Sequence, residues 1–552
     1  MATQYSIKLA ISLISSHFGD LVAKVCECLL RKGSLTLADI TRFTELPQAQ
    51  VKNCLLVLIQ HNCVQAFSIQ IEGGVGAAPK VITQYTAIFD NILHRMRFPK
   101  FLTIVSEELD KECEEILEGL FQHGRLTLEQ IILRAVSNQN EGNSTVQDAV
   151  RESFVRIVSS HYVERCPASE PFLAPPDEEE NPTKKRAKSA RLAEEIETLE
   201  KRAISAAAPL ESERFAVITD TGTDVKSGDR SGSRFLDTAI GEKRKHEALE
   251  MDRETMATIC EKEVLWRANF EAFIRRLRHK ACVANVRARM DDGACTVLNA
   301  MLEATRNAES RIKTENSVPL SMDAILAEVM KSEGGRSMTV ERVRAALGQL
   351  GCRSSPRGAE DSHSVDLRNI IEIAQNDEME SIVLKRYGRD AYRIFRLLSK
   401  TGRLVETDKI SDITFVDKKE APKILYNLWK DNYLHMEKLT SQGSKQSDFL
   451  LWKVNRSSLW KQILDEMCHA ALNLSQRLAY EFEQEHEILQ LPREKRVGAQ
   501  GKRFERIRKV KHLPRQWYHC LPQHSLCGLG AKGPATSVDS SGQEAELAYS
   551  VL

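Results

Sequence analysis

The side chains best suited to metal chemistry crowd one end of the sequence: His519, Cys520, His524 and Cys527. Imidazole and thiolate are zinc-type donors, but a closed site needs a second ligand pair and a core to hold it. No Cys-x-x-Cys pair is present, and the neighbouring Pro and Gly residues suggest a tail. Cys26-Glu27-Cys28 has the wrong spacing for zinc and falls on the apolar side of an expected helix. The stretch Gly73 to Lys80, GGVGAAPK, has the residue types of a phosphate-cradling loop. It lacks the G-x-x-x-x-G-K-[ST] spacing and no helix follows at once, so it is read as a hairpin tip. No His-Glu-x-x-His or Gly-x-Ser-x-Gly occurs. The sequence therefore predicts no catalytic constellation, no metal and no cofactor.

A second chemistry is contact with phosphates or with charged partners. Its candidates are Gln50 and Lys52, Arg151 and Arg156, Arg342 and Arg344, and Lys418, Lys419 and Lys423. Such side chains suit phosphate oxygens when exposed. Every amphipathic helix also needs a polar face, and Glu341, Asp417 and Glu420 dilute these patches. Both DNA and protein remain open as partners. Lys184, Lys185, Arg186 and Lys188 form a basic run that suits a nuclear-import signal or a solvated linker.

These candidates sit in a phrase that returns along the chain. GSLTLADI from Gly33, GRLTLEQI from Gly124 and GRLVETDKI from Gly402 each open a short helix. A longer apolar-faced helix follows: Val51, Leu55, Leu58 and Ile59; Val150, Phe154, Ile157 and Val158; Ile424, Leu425, Leu428 and Trp429. The copies close on His61-Asn62-Cys63, His161-Tyr162-Val163 and Asn432-Tyr433-Leu434. The second copy carries a polar insert, Ser137 to Thr145. PLSMDAIL from Pro319, followed by Val340 to Leu350, is a weaker fourth copy. Helix, turn, helix and strand repeated in this way predict four winged-helix modules.

The chain is expected to be mainly α with small β wings: four tandem extended winged-helix domains followed by a C-terminal coiled-coil helix. The expected boundaries are residues 1–85, 86–166, 259–372 and 373–455, with coiled-coil helices over 456–512 and an irregular tail over 513–552. Residues 167–258 are rich in charge, Ser and Gly and poor in large apolar residues, the composition of a disordered linker. The helical stretch Ala190 to Ala203 within it suits folding on a partner. Leu265 to Phe270 is read as the head of an amphipathic helix. The net charge of +1 over 552 residues gives no global field that would drive the chain onto nucleic acid or membrane. No apolar run has the length of a membrane span, and the 13 scattered Cys suit reduced thiols.

Several stretches resemble the winged-helix subunit of RNA polymerase III, itself similar to the alpha subunit of transcription factor IIE. They are Leu58 to Val64, Phe154 to Pro167, Trp266 to Asp291 and Tyr387 to Tyr426, in family order. The resemblance implies a non-catalytic nuclear subunit in a heterotrimer with two smaller subunits, docked on the clamp of the largest subunit. It implies that initiation factor IIIB and promoter DNA are partners, and that the products are small RNAs such as transfer RNA and 5S ribosomal RNA. The family's terminal helix runs to the chain end, whereas the helical pattern here stops near Lys511, so the C-terminal end is altered. A stand-alone winged-helix DNA-binding regulator is the alternative; it requires one recognition helix with a concentrated basic face.

Overall fold

The computed structural model describes residues 3–71, 80–138, 144–173, 199–217, 264–306, 316–355, 362–441 and 447–484, together with residue 498. It divides into two compact units, Leu13–Phe270 and a second made of Met1–Ser12 with Glu271–Leu552. Each unit holds two winged-helix modules.

The local chemistry of the repeat recurs from copy to copy, except that Glu406 gives the fourth module no side-chain cap. Gly33, Gly124 and Gly402 end a helix with φ of 81°, 82° and 64°. A two-residue strand follows. A hydroxyl then caps the next helix: Thr36 accepts from the Asp39 N–H, Thr127 from Gln130 and Ser321 from Ala324. The recognition helix ends on a left-handed residue in all four copies: Asn62, His161, Gly351 and Asn432, with φ between 58° and 65°. The next amide reaches back to the helix, Cys63 to Leu58 O, Tyr162 to Ile157 O, Cys352 to Leu347 O and Tyr433 to Leu428 O, at 2.8–3.1 Å. This Schellman closure turns the chain from helix into wing. It also buries the residue after the turn, most completely at Cys63, Tyr162 and Tyr433.

In the first module, helix Asp20–Lys32 packs on helices Leu37–Thr44 and Gln48–Gln60. Strands β1 (Leu35–Thr36), β2 (Val64–Ile71) and β3 (Lys80–Ala87) form its wing. The second module contains helices Phe98–Glu108, Lys111–His123, Leu128–Asn138 and Ser144–Ser159, with strands β4 (Leu126–Thr127) and β5 (Val163–Arg165). Pro99 occupies the first turn of Phe98–Glu108, where no amide is needed. The stretch 98–123 forms two helices, because Asp110 caps Lys111–His123 through the Cys113 N–H at 2.7 Å.

Two expectations about the region after the second module are corrected. Strand β6 (Phe172–Leu173) adds to β2 in parallel, so the first module's sheet runs β1-β3-β2-β6. Helix Leu199–Ala207 then covers β2 and β6, with Ala203 buried against Phe67 and Leu173. This part of the expected linker is folded; small alanines let the helix lie close to the sheet. Further on, Arg214 and Arg267 flank the buried Glu164 carboxylate at 2.6 and 2.8 Å. The second correction concerns Leu265–Ala268, read from sequence as a helix start. It is strand β7, lying between β4 and β5 as the central strand of the second module's sheet. Trp266 and Ala268 are buried and Leu265 and Arg267 are not, which is the period of a strand.

In the second unit, the third module has helices Phe270–Arg289, Asp292–Ala304, Met322–Lys331 and Val340–Gln349. Its sheet is made of β8 (Leu320–Ser321), β9 (Arg353–Ser355) and β10 (Ser362–Ser364). A long helix, Leu367–Thr401, leads to the fourth module and is broken at Gly388 (φ 85°, ψ −174°). The fourth module has helices Thr407–Thr414 and Ala421–Lys430 and strands β11 (Val405–Glu406), β12 (His435–Ser441) and β13 (Ser447–Lys453). Helix Arg456–Gln484 starts where the coiled coil was expected, and its Leu459, Ile463 and Met467 join the fourth module's core. The first residues of the chain, expected in the first module, belong to this unit: the Tyr5 N–H donates to Asp465 Oδ1 at 3.0 Å, and its ring stacks on His469 at 4.0 Å. No helix among the described residues is long and apolar enough to cross a membrane.

Candidate functional site

The surfaces available for work are the outward faces of the recognition helices and the wings. In the first module Gln50 and Lys52 are exposed on Gln48–Gln60, while Val51, Cys54, Leu55 and Leu58 face the core. Leu56 stands among the polar residues, 64% exposed. In the second, Arg151 and Arg156 are both exposed, and Arg156 is engaged in an ion pair. Its guanidinium meets Asp110 at 2.6 Å and Ser153 Oγ at 3.2 Å. Burial works to raise the Asp110 carboxyl, but hydrogen bonds from Cys113 and the Arg156 charge outweigh it and hold the group below the usual carboxylate range. Arg342 and Arg344 are exposed on Val340–Gln349.

The fourth module departs from expectation. Lys418 and Lys419, expected with Lys423 on the polar face of the recognition helix, precede it: the helix begins at Ala421, because the amides of Glu420 and Ala421 close a turn on Asp417 O and Pro422 opens the helix. Lys418 and Lys419 therefore lie in the turn before it. Lys418 pairs with Asp412 at 3.2 Å and Lys423 with Glu420 at 2.8 Å. Such exposed pairs contribute little to stability, but they offset the charge a phosphate would meet. Sequence reasoning missed the apolar component of this face. Phe415 is 91% exposed in a left-handed turn, and Ile413, Tyr426 and Trp429 are exposed beside it in the same helix pair. The signal was available by alignment of the repeats: Phe415 stands where Glu45 turns the first module's chain, also at positive φ. The helical period correctly put Leu425 and Leu428 inside, yet it overextended the buried face to Trp429.

Nucleophile and metal chemistry find little support among the described residues. No group of three or more His, Cys, Asp or Glu could hold a metal ion there. Cys26 and Cys28 are buried on helix Asp20–Lys32. Burial pushes the Cys63 thiol up to about 11 and the Cys113 thiol up to about 12, away from thiolate chemistry. Lys184, Lys185, Arg186 and Lys188, Gly73 to Ala78, and His519 to Cys527 lie outside the described residues.

Four helix-turn-helix units with wings define a tandem winged-helix protein. Residues 8–68 match the RNA polymerase III subunit RPC82 helix-turn-helix domain, residues 152–414 match RNA polymerase III subunit RPC82, and residues 379–454 match the POLR3C C-terminal winged-helix domain. Human DNA-directed RNA polymerase III subunit RPC3 is 24% identical over 508 residues, covering 88% of this chain and 86% of its own. The subunit rpc3 of Dictyostelium discoideum is 23% identical over 635 residues, covering 88% and 93%. The chain belongs to the RPC82/RPC3 family of RNA polymerase III subunits.

Proposed function

We propose that the chain is a non-catalytic, nuclear subunit of RNA polymerase III that works as a scaffold. It joins two smaller subunits in a heterotrimer and docks on the clamp of the largest subunit. It helps initiation factor IIIB recruit the enzyme and open promoter DNA at genes for small RNAs such as transfer RNA and 5S ribosomal RNA. The observation that carries this reading is the family match extending over 88% of the chain. The exposed recognition faces support a scaffold: they mix offset charges with apolar side chains such as Leu56 and Tyr426. A stand-alone DNA reader would show a concentrated basic face. Gln50, Lys52, Arg151, Arg342, Arg344 and Lys419 are the residues proposed to reach DNA or protein partners, with Arg156, Lys418 and Lys423 held in ion pairs at the margin. Lys184, Lys185, Arg186 and Lys188 are proposed as the import signal. The test is affinity purification of the tagged chain from nuclear extract with mass spectrometry. Recovery of the largest polymerase III subunits and two smaller partners is the expected result; recovery of none of them overturns the reading.

A further inference from the structure

The first and fourth modules have the same wing, but among the described residues only the first is covered. The register that aligns Asn62 with Asn432 also aligns Ala66 with Met436, Ser68 with Lys438 and Ile69 with Leu439. Their cross-strand partners agree: Ala66 faces Tyr85, which pairs with Leu35, and Met436 faces Trp452, which pairs with Val405. In the first module the outer edge of β2 holds a parallel strand of this chain. The Ser68 N–H donates to Pro171 O at 2.9 Å, and the Gln65 side-chain amide donates to Ala168 O at 2.8 Å. Glu170 Oε1 accepts from the Ser68 and Thr83 hydroxyls at 2.5 and 2.7 Å. Leu173 then packs with Phe67 and Ile69 on the outer face of the wing.

In the fourth module β12 ends the sheet, and among the described residues no strand pairs with its outer edge. Leu439 and Phe449 face each other across the strands on the equivalent outer face, 56% and 41% exposed. A seven-residue edge beside an exposed apolar pair is a template for strand addition. Its charge differs from the first wing at two positions of β12. Lys438 stands where Ser68 stands, and Glu437, 3.6 Å from His435, stands where Phe67 stands. A carboxylate in the place of Glu170 would meet the Lys438 ammonium here in place of the Ser68 hydroxyl, with Leu450 where Thr83 donates in the first wing.

We propose that the outer edge of β12 takes up an extended segment of a different polypeptide, parallel to the strand, with a carboxylate up to three residues ahead of an apolar side chain that covers Leu439 and Phe449. The inference rests on the chain's being an assembled subunit. The test places p-benzoylphenylalanine at Leu439 in the full-length tagged chain and irradiates whatever assembly is recovered from nuclear extract. The same replacement at Ile69 is the control and cross-links within the chain, near Leu173. The expected adduct from residue 439 lies on another polypeptide, in a stretch with that acidic-then-apolar order. Thr440→Pro removes an amide on the open side of β12, and it should lower the adduct yield about fivefold, the effect of one backbone hydrogen bond. Absence of an adduct, or an adduct on this chain, on a second copy or on nucleic acid, overturns the inference. The subunits recovered in the same preparation report separately on the polymerase assignment.

Discussion

The two pairs of modules are joined by different means. Between the first and second, the join is a polar lock inside one unit. The Gln60 side-chain amide donates to His123 O at 2.8 Å and Arg125 O at 2.6 Å, and the buried Arg125 donates to Asn62 Oδ1 at 3.0 Å. Gly124 lies so close that a Cβ there would sit 2.1 Å from Gln60 O. Between the third and fourth, the link is the helix Leu367–Thr401 with its break at Gly388, and an exposed Arg289–Asp377 ion pair beside it. A Cβ on Gly388 meets nothing within 4 Å. Both joins depend on a glycine at positive φ, but one is a site of close packing and the other a bend in open space. The first join therefore couples the end of the first module's recognition helix to the turn that opens the second module's repeat, while the second fixes only a direction.

The largest expected effect breaks the lock. Gly124→Ala adds a clash with backbone to an unfavourable dihedral, for a cost of ~4 kcal/mol. The thermal unfolding of the full-length chain should shift, and hydrogen exchange at Gln60 to Asn62 and His123 to Arg125 should rise together. Gly388→Ala sharpens the comparison, because strain acts there without a clash. The expected loss is about 2 kcal/mol, with faster exchange confined to the helix around residue 388; equal losses for the two variants would erase the distinction.

The smallest effect is a pH dependence of the lock. His61 is pushed down to about 4 by burial and by the nearby Arg95, His123 and His17. Its ring sits 4.5 Å from Phe18, and its Nδ1 is buried without a partner. The unfolded chain takes up a proton near the ordinary histidine value of 6.5, before the native one does. The stability held by neutral His61 is thus complete above that pH and is lost as pH falls toward 4. The melting temperature should drop over this window, and His61→Leu should flatten the drop. His94, pushed down to about 3 by burial and Arg97, leaves a residual slope.

Much of the fold is legible because the repeat encodes it locally. Gly33 and Gly402, the hydroxyls of Thr36 and Thr127, and the apolar faces through Leu58, Ile157 and Leu428 act within a few residues of themselves. What was not legible depends on distant partners. Leu265 to Ala268 is too short for its period to be distinctive, and its strand character comes from pairing with residues more than a hundred positions away. The folded helix Leu199–Ala207 is invisible to composition because its stability comes from Phe67 and Leu173. On the candidate surfaces, helical period gave the exposure of Lys52, Arg151 and Arg344. It could not give the capture of Arg156 by Asp110, which caps the start of a different helix, Lys111–His123.

The insertion of β7 between β4 and β5 also sets where the gene can be divided. A fragment ending at Cys166 would contain every helix of the second module and still lack the middle of its sheet. The natural seam lies after Phe270, and a chain cut between residues 217 and 264 would leave two polypeptides that still share one folded domain.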